Sequence, residues 1–229
     1  MLSNSWSNYS PYFSEDYLIV GFTNRSFPYT SANDRYEFAK ILKLDYRNIV
    51  IPKQVHSNTV TICTKAGNID NSDGIVTTKE ELILSIQVAD CIPIFLFDIQ
   101  NHNIGLVHAG WRGVHSRIIE NSITRMKELD SKPTDIKVLL GPSIRQCCFE
   151  VGPEVSKLFN NKFQLKGKEE RTLLDLQGVV VEKLGNMNIQ SNNIIDINEC
   201  TCCSERYHSF RRDGEKAGRM IAMFGRKNN

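Results

Sequence analysis

Short apolar runs separated by polar turns organise this chain, and their internal periods switch between strand-like and helix-like. Residues 18–22 (LIVGF) read as a first strand. Ser31 or Asn33 then caps a helix to about Leu44, with Tyr36, Ala39, Ile41 and Leu42 on its apolar side. Residues 49–51 and 59–63 are short β-branched runs around the polar loop KQVHSN. Asp73-Gly74 is a turn launching a strand over 75–78, and 82–88 is a further strand. The runs 92–97 and 104–107 are apolar throughout and joined by a polar turn at 100–103. A hairpin there puts Cys91, just before the first run, and His108, just after the second, at the same open end.

Downstream, Val114, Ile118, Ile119, Ile123, Met126 and Leu129 keep a helical period, so 114–129 reads as one amphipathic helix. Gly110 and Gly113 precede it, which places His108, Trp111 and Arg112 in a glycine-loosened strand-to-helix turn. Residues 136–140 form a buried strand, 153–159 and 174–184 helices, 194–197 a strand and 219–224 a closing element. No repeat, low-complexity segment or long linker interrupts this. The reading is one α+β domain over 18–229, with 1–17 as an N-terminal extension.

Composition narrows the class. An apolar fraction of 41% and a charged fraction of 24% suit a soluble globular enzyme. A net charge of +2, with the basic stretch 206–226 interleaved with acids, gives no nucleic-acid signature. No run approaches the length of a membrane span, and the polar, aromatic N-terminus does not read as a secretion signal, so none is expected. A cytoplasmic location is expected. The seven cysteines, odd in number and including the adjacent pairs Cys147–Cys148 and Cys202–Cys203, suit a reduced compartment better than a disulfide framework.

Candidate chemistry gathers around Cys91 and His108. His56 stands in the loop QVHS, directly after a strand, where loops lift functional side chains off a scaffold. One cysteine and two histidines from three strand ends make a three-ligand set with an open fourth position, the composition of a catalytic zinc site. The bland alternative is a buried cysteine with two hydrogen-bonded histidines. Asp90 adjoins Cys91 and is positioned to orient a ligand. Asp73 reads as an ordinary turn residue. Arg112 is the best-placed cation for an anionic substrate, set against a plain salt bridge, and Arg25 is a weaker candidate of the same kind. His102 and His115 read as solvent-exposed and His208 as a packing residue. Cys200, Cys202 and Cys203 could contribute to a second metal site, but only His208 is near them in sequence.

The motifs QVHS (54–57), DGIVT (73–77), ADCIPIFLFD (89–98) and GLVHAGWRG (105–113) resemble the YfiH-like, laccase-domain family. So do GPSI…CFEVG (141–152), LDL (174–176), CT (200–201) and SFRRDG…AGR (209–219). The resemblance implies a mixed α/β/β/α layered sandwich in one domain. It also implies metal ligation by His56, Cys91 and His108, with zinc as the cofactor. The implied activities are phosphorolysis of adenosine, guanosine, inosine and methylthioadenosine, and deamination of adenosine, so purine nucleosides and phosphate are the expected partners. A zinc with an open position would lower the pKa of a bound water, and attack at purine C6 is the logic of zinc deaminases. Arg112 and Arg25 would hold phosphate, since a guanidinium grips it bidentately. Asp90 would orient a ligand or exchange protons. The chain departs from the family pattern in the loop TNRSFPYTSAND, shorter than the usual glycine-rich loop, and at His208, where an aromatic residue is usual.

Other readings share these residues. A copper-dependent polyphenol oxidase would use the same Cys/His set, but a four-copper enzyme needs on the order of ten histidines, and the chain has five. A cysteine hydrolase would use Cys91 as nucleophile and His108 as base, with a third residue as orienter. A zinc-stabilised binding module would fill the fourth position and catalyse nothing.

Overall fold

The central runs are apolar throughout because both faces of their strands are buried. In the computed structural model, which describes residues 4–28 and 33–227, the first strands are β1 (Trp6–Asn8), β2 (Leu18–Thr23), β3 (Ile49–Pro52), β4 (Val60–Ile62) and β5 (Gly67–Ile69). There follow β6 (Gly74–Thr77), β7 (Ile83–Val88), β8 (Ile92–Asp98), β9 (Ile104–Ala109) and β10 (Ile136–Leu140). The last are β11 (Glu150–Val151), β12 (Gln164–Lys166), β13 (Thr172–Leu174), β14 (Ile194–Asp196) and β15 (Met220–Arg226). The helices are α1 (Asp34–Ile41), α2 (Trp111–His115), α3 (Ile118–Glu128), α4 (Pro153–Ser156), α5 (Leu176–Asn186) and α6 (Phe210–Asp213).

Two six-stranded sheets form, one in the order β1-β2-β15-β7-β3-β5 and the other β14-β10-β8-β9-β6-β4. Phe22, Leu84 and Phe224 of the first pack against Phe95, Phe97 and Leu106 of the second. The Phe95 and Phe224 rings meet edge-on at 5.8 Å. Alternate residues of β8 (Ile92, Ile94, Leu96) point the other way, into a core with Ile119, Ile123 and Met126 of α3 and Val180 and Leu184 of α5. On the outer face of the first sheet, Ile221 and Met223 of β15 meet Phe38 and Ala39 of α1. The layers therefore run α/β/β/α, as expected. The period of two along β8 and β15 sends each strand's side chains into two different cores.

The hairpin is present, with Ile92 opposite Ala109 and Pro93 opposite His108. Its turn is held by Asp98, whose Oδ1 accepts the Gln100 and Asn101 N–H groups. Other expectations change. The helix expected over 114–129 is broken: α2 ends at His115, and Arg117, at φ 78°, restarts the chain as α3. The helical period survives because Val114 and Ile118 still bury into the same core. The helix expected over 153–159 is a single turn, and residues 172–174 belong to a small sheet ordered β11-β13-β12. Asp175 then caps α5 by accepting the Gly178 N–H. Of the two cap candidates for α1, Ser31 lies outside the described residues; Asn33 holds the cap position without a side-chain cap bond. Residues 6–8, within the segment set apart as an extension, form an edge strand paired with β2.

Candidate metal centre

Three strand ends bring the expected ligands together. Cys91 precedes β8 and His108 sits near the end of β9, so the hairpin register alone makes them neighbours. His56 arrives on the loop between β3 and β4, with a left-handed φ of 59°. That loop is braced by Gln54, whose side chain accepts the Gln87 N–H at 2.8 Å and donates to the Gln87 carbonyl at 2.7 Å. The His56 and His108 rings meet edge-on with centroids 4.8 Å apart. Ligand atoms of His56, Cys91 and His108 all lie within 4.8 Å of one another.

Asp73 fixes this geometry, a role not anticipated from the sequence. It is fully buried. One carboxylate oxygen lies 2.8 Å from His108 Nδ1 and also accepts the His56 N–H at 3.0 Å. The other accepts the Ser57 N–H at 2.6 Å, the Ser57 hydroxyl at 2.8 Å and the Val55 N–H at 3.2 Å. Burial by itself would raise the Asp73 pKa, but the bonds from His108 and Ser57 outweigh it and hold it at about 2. An ionised carboxylate only accepts, so His108 keeps a proton on Nδ1, and Nε2 is the atom that serves as ligand or base once it has given up its own proton.

Burial likewise opposes ionisation of Cys91, yet the adjacent His108 and His56 bring its thiol down to about 6. The partner effect on His108 is opposite: burial would lower it, and Cys91 with Asp73 raises it to about 9. The protein's own groups thus favour a thiolate beside an imidazolium. Two glycines make room. A Cβ on Gly110 would stand 3.0 Å from Cys91 Sγ and 3.3 Å from a His56 ring carbon. One on Gly113 would stand 2.8 Å from the Ser57 carbonyl oxygen.

The donor set lies in a cavity of about 930 Å³, within the range of small-molecule sites. Trp111, Phe149 and Phe210 supply aromatic surface, and Lys53, Arg35, Arg112, Arg211 and Arg219 supply positive charge. Arg112 stacks on Trp111, its guanidinium carbon 4.4 Å from the ring centroid. It has no carboxylate partner among the described residues, so the salt-bridge alternative drops away.

Two expected site residues make contacts other than those anticipated. Arg25 does not line the cavity; its guanidinium faces Asp213 at 3.7 Å. Asp90 does line it, but its carboxylate is turned toward the C-terminal segment. It accepts from the Thr201 hydroxyl at 2.6 Å, the Ser209 hydroxyl at 3.1 Å and the Arg211 N–H at 2.7 Å. Asp73, not Asp90, orients the histidine. Asp90 instead anchors the segment that carries Phe210 and Arg211 into the cavity wall, and its φ of 87° turns the chain sharply just before Cys91. The cavity cations Lys53, Arg211 and Arg219 were not singled out from the sequence; the last two lie within the SFRRDG…AGR motif.

The remaining histidines stand apart from the centre. His102 is exposed and its Nδ1 shares a hydrogen bond of 2.6 Å with the Tyr17 hydroxyl. His115 is exposed and lies beside Phe159. His208 packs over Gly218, where a Cβ would meet its ring at 2.6 Å.

Residues 10–227 match the family model described as multi-copper polyphenol oxidoreductase laccase. A protein of Clostridium acetobutylicum named as a purine nucleoside phosphorylase is 33% identical over 180 residues, covering 76% of this chain and 75% of that protein. A protein from an unknown prokaryotic organism named adenosine deaminase RL5 is 31% identical over 211 residues, covering 84% and 80%. In three dimensions the chain resembles the hypothetical protein YfiH of Bacillus licheniformis, with a TM-score of 0.90, 26% identity and coverage of 99% and 98%. Among the described residues no helix is long and apolar enough to cross a membrane.

Proposed function

Because the chain belongs to the multi-copper polyphenol oxidoreductase laccase family, we propose that it is a zinc-dependent purine nucleoside enzyme. It would cleave adenosine, inosine, guanosine and methylthioadenosine with phosphate, and would also deaminate adenosine. The observation that carries this reading is the junction of the His56–Cys91–His108 set with a cavity that is both cationic and aromatic. The names of the relatives, purine nucleoside phosphorylase and adenosine deaminase, support purine nucleosides as the substrate class.

The donor set suits zinc. Two imidazoles and one thiolate are borderline-soft ligands, and three protein ligands leave a position open. When bound there, zinc supplies Lewis-acid activation of a water or a substrate oxygen. The chain's own residues do the rest. Asp73 keeps His108 in one tautomer and holds the His56 loop in place. Trp111, Phe149 and Phe210 offer flat faces to a purine. Arg112 and Lys53, neither of them paired with a carboxylate among the described residues, hold phosphate near the ribose. In phosphorolysis a phosphate oxygen bonds to ribose C1′ as the glycosidic bond breaks, and the purine leaves with the bonding electron pair and takes up a proton.

Chromatography of adenosine, inosine and methylthioadenosine after incubation with metal-analysed protein, with and without phosphate, tests the proposal. Free base appearing only with phosphate supports phosphorolysis, and inosine formed from adenosine without phosphate supports deamination. Intact nucleosides in every arm would refute both.

A second reading has its own support. Cys91, His108 and Asp73 form a nucleophile–base–orienter series, the arrangement of a cysteine hydrolase. That reading leaves His56, the third member of the donor set, without a task. Alkylation of Cys91 separates the two: protection by zinc supports the metal centre, whereas rapid alkylation of zinc-loaded protein supports the nucleophile.

A further inference from the structure

Away from the cavity floor, four cysteines from two distant loops converge. Cys147 and Cys148 follow β10, and Cys200 and Cys203 follow β14. Their sulfurs all lie within 4.8 Å of one another. We propose that Cys147, Cys148, Cys200 and Cys203 hold a second metal ion, a zinc-class divalent cation, in a closed four-sulfur site that staples these loops together.

Distance is the first argument. The sulfurs of Cys147 and Cys148 are 3.8 Å apart, those of Cys147 and Cys203 3.5 Å, and those of Cys148 and Cys203 3.2 Å. Tetrahedral zinc with sulfur ligands at about 2.3 Å places those sulfurs about 3.8 Å apart. A disulfide would bring two of them to about 2.05 Å, and all four cysteines are free. With all four sulfurs within 4.8 Å of one another, the group has room for one ion and not for an iron–sulfur cluster.

Local backbone structure is the second argument. Cys200 and Cys203 are separated by two residues, the spacing of a structural zinc loop. Cys202, between the two ligands, packs against the core and is not a member of the four-sulfur group. The loops are already in register: Cys200 bridges to Ser143, and the Thr201 N–H donates to the Ser143 carbonyl at 3.1 Å.

The position explains the use. Four ligands leave no open coordination site, so this ion would be structural, unlike the three-ligand centre at His56, Cys91 and His108. Each stapled loop contributes to the cavity wall, Phe149 on one side and Arg211 on the other. These two already touch, with the Arg211 guanidinium 5.6 Å from the Phe149 ring centroid and its Nη1 donating to the Cys148 carbonyl at 2.8 Å. The ion would lock that wall.

Native mass spectrometry and metal analysis of zinc-supplemented protein provide the test. Two zinc ions per chain are expected in the wild type and in Cys202→Ser, and one in the Cys200→Ser/Cys203→Ser double variant. In a His56→Ala/Cys91→Ala variant, cobalt substitution should give the intense sulfur-to-metal charge-transfer and ligand-field bands of a tetrahedral four-thiolate site. Should the cysteine double variant fail to fold, the wild-type count and the cobalt spectrum still decide. A single zinc in the wild type would overturn the proposal. So would a cobalt spectrum lacking four-thiolate character, or a Cys148–Cys203 disulfide in anaerobically purified protein.

Discussion

Asp73 holds His108 by its Nδ1 at 2.8 Å and, with the same carboxylate, gathers the backbone N–H groups of Val55, His56 and Ser57. One buried anion therefore positions two of the three candidate ligands, from strands that are not neighbours in sequence. Asp73→Asn puts an amide N–H where the site requires an acceptor, against either His108 or the His56 loop. Zinc affinity should fall by about 10- to 100-fold, measured by competition with a chromophoric chelator. Stability should fall by about 2 kcal/mol or more. Because the folded-state pKa of about 2 lies below the ordinary carboxylate value of 3.8, the wild-type advantage is fully present above that value. It disappears as pH falls through about 2. Denaturant titrations of both proteins across the acid range check this.

Zinc uptake should release protons in a set pattern. Cys91 ionises at about 6 and His108 holds its proton to about 9. Ligation needs a thiolate and a neutral imidazole, so between those values this pair gives up about one proton, from His108. Below pH 6 the Cys91 proton must leave as well, and the affinity should drop more steeply. Calorimetry in buffers of different ionisation heat reads the count directly. An affinity that does not vary with pH between 6 and 9 would contradict the paired description.

Gly110→Ala is a clean probe of how closely the ligands must approach. The backbone at Gly110, φ −81° and ψ 166°, suits alanine, so the cost lies in the added methyl, 3.0 Å from Cys91 Sγ and 3.3 Å from a His56 ring carbon. The expected outcome is an intact fold with zinc affinity reduced by about tenfold. Unchanged affinity with an unchanged melting curve would mean that the three ligands need not be this close.

Asp90→Asn separates the cavity wall from the metal. Among the described residues its carboxylate accepts from Thr201, Ser209 and Arg211, so metal stoichiometry at the His56–Cys91–His108 centre should stay at wild-type level. Stability should fall by about 1–3 kcal/mol as these bonds to a buried charge are lost, together with a rise in nucleoside KM. Loss of metal with the fold intact would return Asp90 to the orienting role.

Much of this site was legible because it rests on local signals. The runs 92–97 and 104–107 are apolar on both faces, and a hairpin between them pairs Cys91 with His108 whatever surrounds it. What escaped depends on pairing between distant segments. Asp73 looks like any Asp-Gly turn until β6 lies beside β9 and brings it to a histidine 35 positions later. Cys148 and Cys203 meet across 55 positions, so the CTCC segment alone shows only half of its cluster. The break at Arg117 left no mark on the hydrophobic period, because α2 and α3 bury into one core. The small sheet within residues 150–174 has strands of only two or three residues, too short to show an alternation.

One comparison tests the proposed metal-dependent nucleoside chemistry at His56, Cys91 and His108 most directly. Inosine and phosphate are incubated with metal-loaded protein, with the same protein stripped by a chelator, and with stripped protein reloaded with zinc, and free base is followed by chromatography. Free base is expected from the loaded enzyme, none after stripping, and recovery on reloading. Free base formed by the stripped protein at the rate of the loaded one, with metal content at background, would contradict it.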